Sequence, residues 1–279
     1  MVDRQELQKA NGRLFAAQIV MGEFAGPPLG GFLFATAAAL PFLLDAGTFA
    51  AAAALVLALR GRFRVEHAEG VAATTLLQEI SEGLRWLAEH RLLLTLSLVL
   101  GAAGFAVEGV FSILVLYAQE ILGLGGVGFG VLMTAFAAGG VADGFFAERA
   151  SRLLGTGRTI SVISLLEAAA FAALALSTSS FLAGTMIALD ALAGTVWNVV
   201  TISLRQELIP ERLLGRVFSA FRMVGFGGMA LGALASGLLA REFGPTVSFW
   251  VAAATMVVLS ATCAIVVNNP AVEEARGKA

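Results

Sequence analysis

The stretch LLLTLSLVLGAAGFAVEGVFSILVLYA, Leu92–Ala118, runs for 27 residues with one charged side chain, Glu108. A bilayer core about 30 Å thick is crossed by roughly 20 apolar residues in a helix, so this run reads as one membrane span. Worked outward, the same measure counts the rest of the chain. On the C-terminal side Ile121–Ala147 is a span, set off by Gln119 and Glu120. Thr159–Leu204 is long enough for two, with a turn at Ser177-Thr178-Ser179-Ser180, and Leu213–Ala240 and Phe243–Val267 are one each. On the N-terminal side Leu14–Leu59, interrupted only by Glu23 and Asp45, makes two spans hinged near Ala39–Pro41. The reading is an all-α membrane protein with eight spans.

Composition agrees. Of 279 residues 58% are hydrophobic and 14% charged, and the mean hydropathy is +0.86, whereas soluble domains are about 45–50% apolar and about 25% charged. A net charge of −2 removes any global electrostatic case for nucleic acid. The single cysteine, Cys263, cannot form an internal disulfide, and His67 and His90 fall short of a metal cluster. No Ser/His/Asp, metal-ligand or paired-carboxylate constellation occurs at helical spacing, so neither an enzyme, a metal nor a cofactor is expected. Gly123-Leu124-Gly125-Gly126-Val127-Gly128 matches G-x-G-x-x-G, but a nucleotide fingerprint follows a strand and this stretch joins two spans. Without a P-loop, energy is expected from an ion gradient or from the cargo's own gradient, unless a separate subunit supplies it.

Orientation follows from Lys and Arg. Arg4, Lys9 and Arg13 precede the first span; Arg60, Arg62, Arg64, Arg85 and Arg91 lie in the long connection. Arg149, Arg152 and Arg158, then Arg205, Arg212 and Arg216, and finally Arg276 and Lys278 follow on the same side. The other side holds Arg241 alone, and both termini are expected in the cytoplasm, the protein in the cell membrane. Within residues 60–91, Thr75 and Gln78 fit a capping box. Ile80, Leu84 and Leu87 share one helical face from which Glu79, Glu82 and Glu89 are excluded. An amphipathic helix on the cytoplasmic membrane surface is expected there.

An internal repeat sets the architecture. Gly12-Arg13-Leu14-Phe15-Ala16-Ala17 returns as Gly215-Arg216-Val217-Phe218-Ser219-Ala220, each copy opening a span. Pro28-Leu29-Gly30-Gly31 and Ala230-Leu231-Gly232-Ala233 follow at nearly the same register. The first span is therefore the counterpart of the seventh, and the period is six helices. The chain divides into residues 1–59, two helices closing an N-terminal bundle; 60–91, a linker; 92–268, a six-helix bundle; and 269–279, a tail.

Gly22-Glu23-Phe24-Ala25-Gly26-Pro27-Pro28-Leu29-Gly30-Gly31 fills every fixed position of G-x-x-x-G-P-x-x-G-G. The glycines allow close helix approach, and the proline pair removes two backbone donors and bends the helix. With the six-helix period and the long linker, this stretch resembles the major facilitator superfamily, whose drug/proton exporters carry it on their fifth helix. Ala10-Asn11-Gly12-Arg13, Phe42-Leu43-Leu44-Asp45-Ala46-Gly47-Thr48-Phe49 and Pro210-Glu211-Arg212-Leu213-Leu214-Gly215-Arg216-Val217 are similar to its enterobactin-exporter-like, transmembrane secretion effector branch, over nearly the whole chain. The resemblance implies helices five to twelve of a twelve-helix fold, with four expected ahead of residue 1, and a monomer when full length. It also implies an antiporter motif at Gly22, Gly26, Pro27, Gly30 and Gly31, unless these serve only packing. Gly144, Glu148 and Arg149 fit G-x-x-x-[DE]-R, the start of the superfamily's cytoplasmic gate motif, though the usual compact G-R-R does not follow.

Charged groups inside spans cost about 2.5–3.5 kcal/mol each on insertion scales and face a partner or a wet cavity. Glu108, Glu167 and Asp190 lie near the middle of their spans and Arg222 about two turns into its own. These four are the candidates for proton coupling or cargo binding, Glu108 first, with an Asp190–Arg222 ion pair expected. The function expected is secondary export of a drug- or siderophore-like small molecule by proton antiport with rocker-switch access. The alternative is a truncated, non-transporting membrane protein with a structural or regulatory role.

The charge bias predicts that, on a Cys263-free background, Gly70→Cys is labelled by an impermeant thiol reagent in inverted vesicles and protected in intact cells. Labelling from outside intact cells would reverse the orientation.

Overall fold

The computed structural model describes residues 33, 37, 39–58, 76–141, 143–210 and 213–277. The chain divides into two compact units, residues 1–73 and 74–279. In the first, the described part is helix α1, Leu40–Ala58, which starts at the expected hinge. Its Asp45 carbonyl accepts a hydrogen bond from Thr48 Oγ1 at 2.7 Å. The stretch Gly22, Gly26, Pro27, Gly30 and Gly31, expected as an antiporter motif, and the first copy of the repeat lie outside the described residues.

The second unit is helical throughout its described residues. Its helices are α2 (Leu76–Glu89), α3 (Arg91–Glu120), α4 (Gly126–Val141), α5 (Asp143–Leu154), α6 (Thr156–Leu176), α7 (Ser180–Leu208), α8 (Leu214–Phe243), α9 (Thr246–Val266) and α10 (Asn269–Arg276). Among the described residues six helices are long and apolar enough to cross a membrane: α1, α3, α6, α7, α8 and α9. The turn expected at Ser177–Ser180 separates α6 from α7, and the Ser179 side chain caps α7 by accepting from the Leu182 amide.

The span expected over Ile121–Ala147 is corrected. Helix α4 has 16 residues, about 24 Å at 1.5 Å per residue, and a separate helix, α5, follows it. Residues 121–125 form a turn in which Gly123 takes φ +64°, a conformation that favours glycine. Hydropathy counts Leu-Gly-Leu-Gly-Gly as apolar and so hides the turn.

Helices α3, α4, α6, α7, α8 and α9 form a bundle in which α3 packs on α8 and α9, α9 on α6, α6 on α7, and α7 on α4. The pattern maps onto itself when α3 exchanges with α7, α4 with α8 and α6 with α9. It is an inverted repeat of three helices within the six. The two crossings exchanged by this symmetry, α3 on α8 and α4 on α7, are both parallel and both made by glycine. A β-carbon at Gly228 would overlap the Gly101 carbonyl and one at Gly232 the Phe105 carbonyl. One at Gly139 would overlap the carbonyl of Ala188 on α7. Without a hydrophobic driving force between helices in lipid, such close packing supplies much of the association.

The ends of α5 and α7, the starts of α6 and α8 and the flanking helices α2 and α10 place Arg152, Arg158, Arg205, Arg216 and Arg276 at one end of the bundle. Helix α2 forms where the amphipathic pattern predicts and docks on the start of α8. Leu87 is fully buried, Gly83 lies against the Arg216 backbone, and Glu82 pairs with Arg216. Glu82, expected on the solvated face, thus joins helix to bundle. Asn269 ties the end together: its Oδ1 accepts from the Gly157 and Arg158 amides at 2.9 and 3.2 Å, and its Nδ2 donates to the Leu154 carbonyl at 2.8 Å. At the opposite end the buried Tyr117 hydroxyl lies 2.9 Å from the carbonyl oxygens of Leu174 and Ser177, donating to one at a time. Its ring meets Phe249 edge-on at 4.7 Å.

Gly232→Leu is expected to destabilise the bundle by about 2–3 kcal/mol or more, since the neighbour that must move is backbone. Gly227→Ala, with nothing within 4 Å of its β-carbon, is neutral or stabilising by up to about 1 kcal/mol. Thermal unfolding of the two purified variants against wild type checks both signs.

Candidate functional site

Helix α6 starts at the arginine-rich end and α7 at the other, so residues near their middles meet at one depth. Glu167 lies 11 residues along α6 and Asp190 10 residues along α7, each about 15–17 Å from the start of its helix at 1.5 Å per residue. Both carboxyl groups are buried, each residue 5% exposed. They lie on the packed seam between the two helices, and their charges act on one another. A β-carbon at Gly194, one turn after Asp190, would stand 3.7 Å from Glu167 Oε1. Glycine there lets the Glu167 carboxyl come up against the α7 backbone.

Asp190 Oδ1 is sealed from solvent with no hydrogen-bond partner. Two turns further on the same face of α7, Trp197 Nε1 is sealed and unpartnered as well. Buried polar groups are nearly always satisfied; among the described residues Ser97 Oγ and Ser248 Oγ are the other two such atoms, and the α7 pair lies on the helix that also carries a buried carboxyl. Among the described residues no group of three His, Cys, Asp or Glu side chains is arranged to hold a metal ion.

The other sequence candidates fall elsewhere. Glu108, on α3, is half-buried between Phe105 and Gly109, residues that contact α8, and has no ion pair among the described residues. Arg222 is exposed on α8 and makes no ion pair among the described residues, so the expected Asp190–Arg222 pair is not formed. Burial is the reason: Asp190 faces α6, while Arg222 lies on an exposed stretch of α8. Gly144, Glu148 and Arg149 lie on α5, which packs on α7 and α6. Glu148 pairs with Arg152 one turn along the same helix at 2.5 Å, both exposed, a pair worth about 0.5 kcal/mol or less. Sequence reading passed over two residues. Trp197 gives its signal through its seven-residue spacing from Asp190. Arg205, counted with the loop charges, belongs to α7 and is 6% exposed.

The bundle carries the inverted three-helix repeat of a transporter half, with acids on an interior seam and an amphipathic helix docked at its charged end. A family profile described as transmembrane secretion effector, of the major facilitator type, matches residues 1–278. The chain belongs to the transmembrane secretion effector family. No curated protein matches the sequence. Membership makes this secretion effector an all-α, multi-pass membrane transporter, and the six apolar helices accord with it. The profile spans α1, the Gly22–Gly31 stretch and the helices of the second unit alike.

If Glu167 and Asp190 share one site, their effects on stability are not additive. A double-mutant cycle of Glu167→Gln and Asp190→Asn is expected to give a coupling energy of about 0.5–3 kcal/mol, whereas Glu108→Gln with Asp190→Asn adds within about 0.5 kcal/mol. Thermal or denaturant unfolding in detergent micelles measures both.

Proposed function

We propose that this secretion effector exports a small molecule, drug- or siderophore-like, out of the cytoplasm across the cell membrane in exchange for protons. The observation that carries the reading is the Glu167–Asp190 pair, two acids buried on one seam with no ion pair among the described residues. With both ionised, the pair is repulsive and desolvated. A proton on one removes the repulsion and part of the desolvation penalty. Proton arrival and departure therefore change the energy of the α6–α7 seam, which is what coupling to a gradient requires. Rocking of the bundles would open the seam alternately to the two faces.

In this reading the arginine-rich end faces the cytoplasm. Glu108, half-buried beside the α8 seam, belongs with cargo, and Gly22, Gly26, Pro27, Gly30 and Gly31 form the seal that prevents proton leak. Arg222 stands ready for a partner in another conformation. Gly144, Glu148 and Arg149 act as gate elements through the packing of α5 on α7. The first candidate for coupling passes from Glu108 to the buried pair, because a coupling acid must be kept from bulk water in part of the cycle.

The test uses inverted vesicles carrying the full-length protein, an imposed pH gradient, and a panel of hydrophobic dyes and catecholate chelators as probes. Wild type is expected to accumulate at least one probe in a gradient-dependent way. Glu167→Gln and Asp190→Asn should each retain exchange of that probe at zero gradient but lose about tenfold or more of the gradient-driven rate, a loss of about 1.4 kcal/mol or more of coupling. Normal pH-driven transport in both variants, at equal membrane abundance, would overturn the assignment.

A further inference from the structure

At the arginine-rich end, Arg205 is placed against the ordinary rule for charges. Four arginines that solvent reaches nevertheless have carboxylates: Arg85 has Glu89, Arg152 has Glu148, Arg216 has Glu82 and Arg276 has Glu207. Arg205, the buried one at 6% exposure, has no ion pair among the described residues. Solvation dictates the reverse, because a buried cation needs a counter-charge more than an exposed one does.

What holds it is built from two helices. Arg205 Nε donates to the Thr201 carbonyl at 3.0 Å. The guanidinium carbon lies 4.8 Å from the centre of the Phe221 ring and 5.2 Å from that of Phe218, both on α8. The rings attract the cation through their quadrupoles, and the α7 C-terminus contributes partial negative charge. These contacts fix the plane of the fork. Among the described residues they leave the four N–H donors of Nη1 and Nη2 without an acceptor. Neither terminal nitrogen is among the polar atoms sealed off without a partner, so both reach accessible space.

We propose that Arg205 is a binding site for a net-anionic phosphate, borne by an anionic lipid headgroup or by a free solute, and not for the phosphate of a zwitterionic headgroup, which its own ammonium neutralises. A rigid, aromatic-clamped guanidinium with its two terminal nitrogens open matches two oxygens of one tetrahedral anion. The helix end that carries it is also where a bilayer places its own phosphates. Lysine could supply the charge but not the fork. The site is separate from the Glu167–Asp190 seam and does not depend on the coupling assigned to it.

The experiment follows thermal unfolding of the purified full-length protein in detergent micelles by intrinsic tryptophan fluorescence. Inorganic phosphate, phosphatidylglycerol and phosphatidylcholine are titrated separately. Wild type is expected to gain several degrees with phosphatidylglycerol and not with phosphatidylcholine. A matching gain with inorganic phosphate identifies a general phosphate site, and its absence a lipid headgroup site. Arg205→Gln should abolish the gain, Arg205→Lys should keep only a small part, and Arg158→Gln, which removes an exposed arginine at the same end, should keep it whole. If Arg205→Gln does not fold, Phe221→Leu tests the clamp and should raise the half-saturating concentration severalfold. No gain in wild type with either anion, equal gains with phosphatidylcholine, or an undiminished gain in Arg205→Gln or in Phe221→Leu would overturn the proposal.

Discussion

Contact between backbones is the constraint on which the second unit rests. Gly228 and Gly232 bring α8 against the carbonyls of α3, and Gly139 brings α4 against α7. In lipid, where apolar side chains gain nothing by leaving one hydrocarbon environment for another, a helix pair is held by how closely it can approach. The two glycine crossings are exchanged by the inverted repeat, so each three-helix half grips the other through the same device. The remaining seams are α3 with α9, α6 with α9 and α6 with α7, and the last of them holds the side chains of Glu167 and Asp190 buried together.

That enforced proximity separates the buried acids from the charges around them. Surface pairs such as Arg152–Glu148 form by rotation of two long side chains and cost little to break. Glu167 and Asp190 share a buried seam because the backbone places them there, and Gly194 leaves room for the Glu167 carboxyl against α7. Arg205 belongs to the same category, its orientation imposed by Phe218 and Phe221 and by the Thr201 carbonyl. Interior ionisable groups that cannot relax away from an unfavourable setting are the ones a membrane protein retains for use.

Much of the fold was legible because hydropathy and charge act over long stretches. The apolar runs, the Ser177–Ser180 turn, the amphipathic helix and the six-helix period all leave signals spread over many residues. The site was legible in its members and not in its pairings. Glu167 and Asp190 stand out as charges in apolar runs, but nothing local to either says that α6 and α7 lie side by side. Arg222 was matched to Asp190 on sign alone, although the two face different surroundings. Gly123–Gly126 reads as apolar while bending the chain. Arg205 looked like one more loop charge because the end of a long helix cannot be told from the connection beyond it by composition.

Asn269 joins the beginning of α6 to the end of α5 across more than a hundred residues of sequence. A chain emerging from the ribosome makes α5 and α6 long before that amide exists, so their junction waits with two open N–H groups and one open carbonyl while three more spans are inserted. The charged end is therefore closed late: residues 267–269 can seat against Gly157 only after α9 has been made, so the junction of α5 with α6 is completed by a segment that follows all six helices of the bundle.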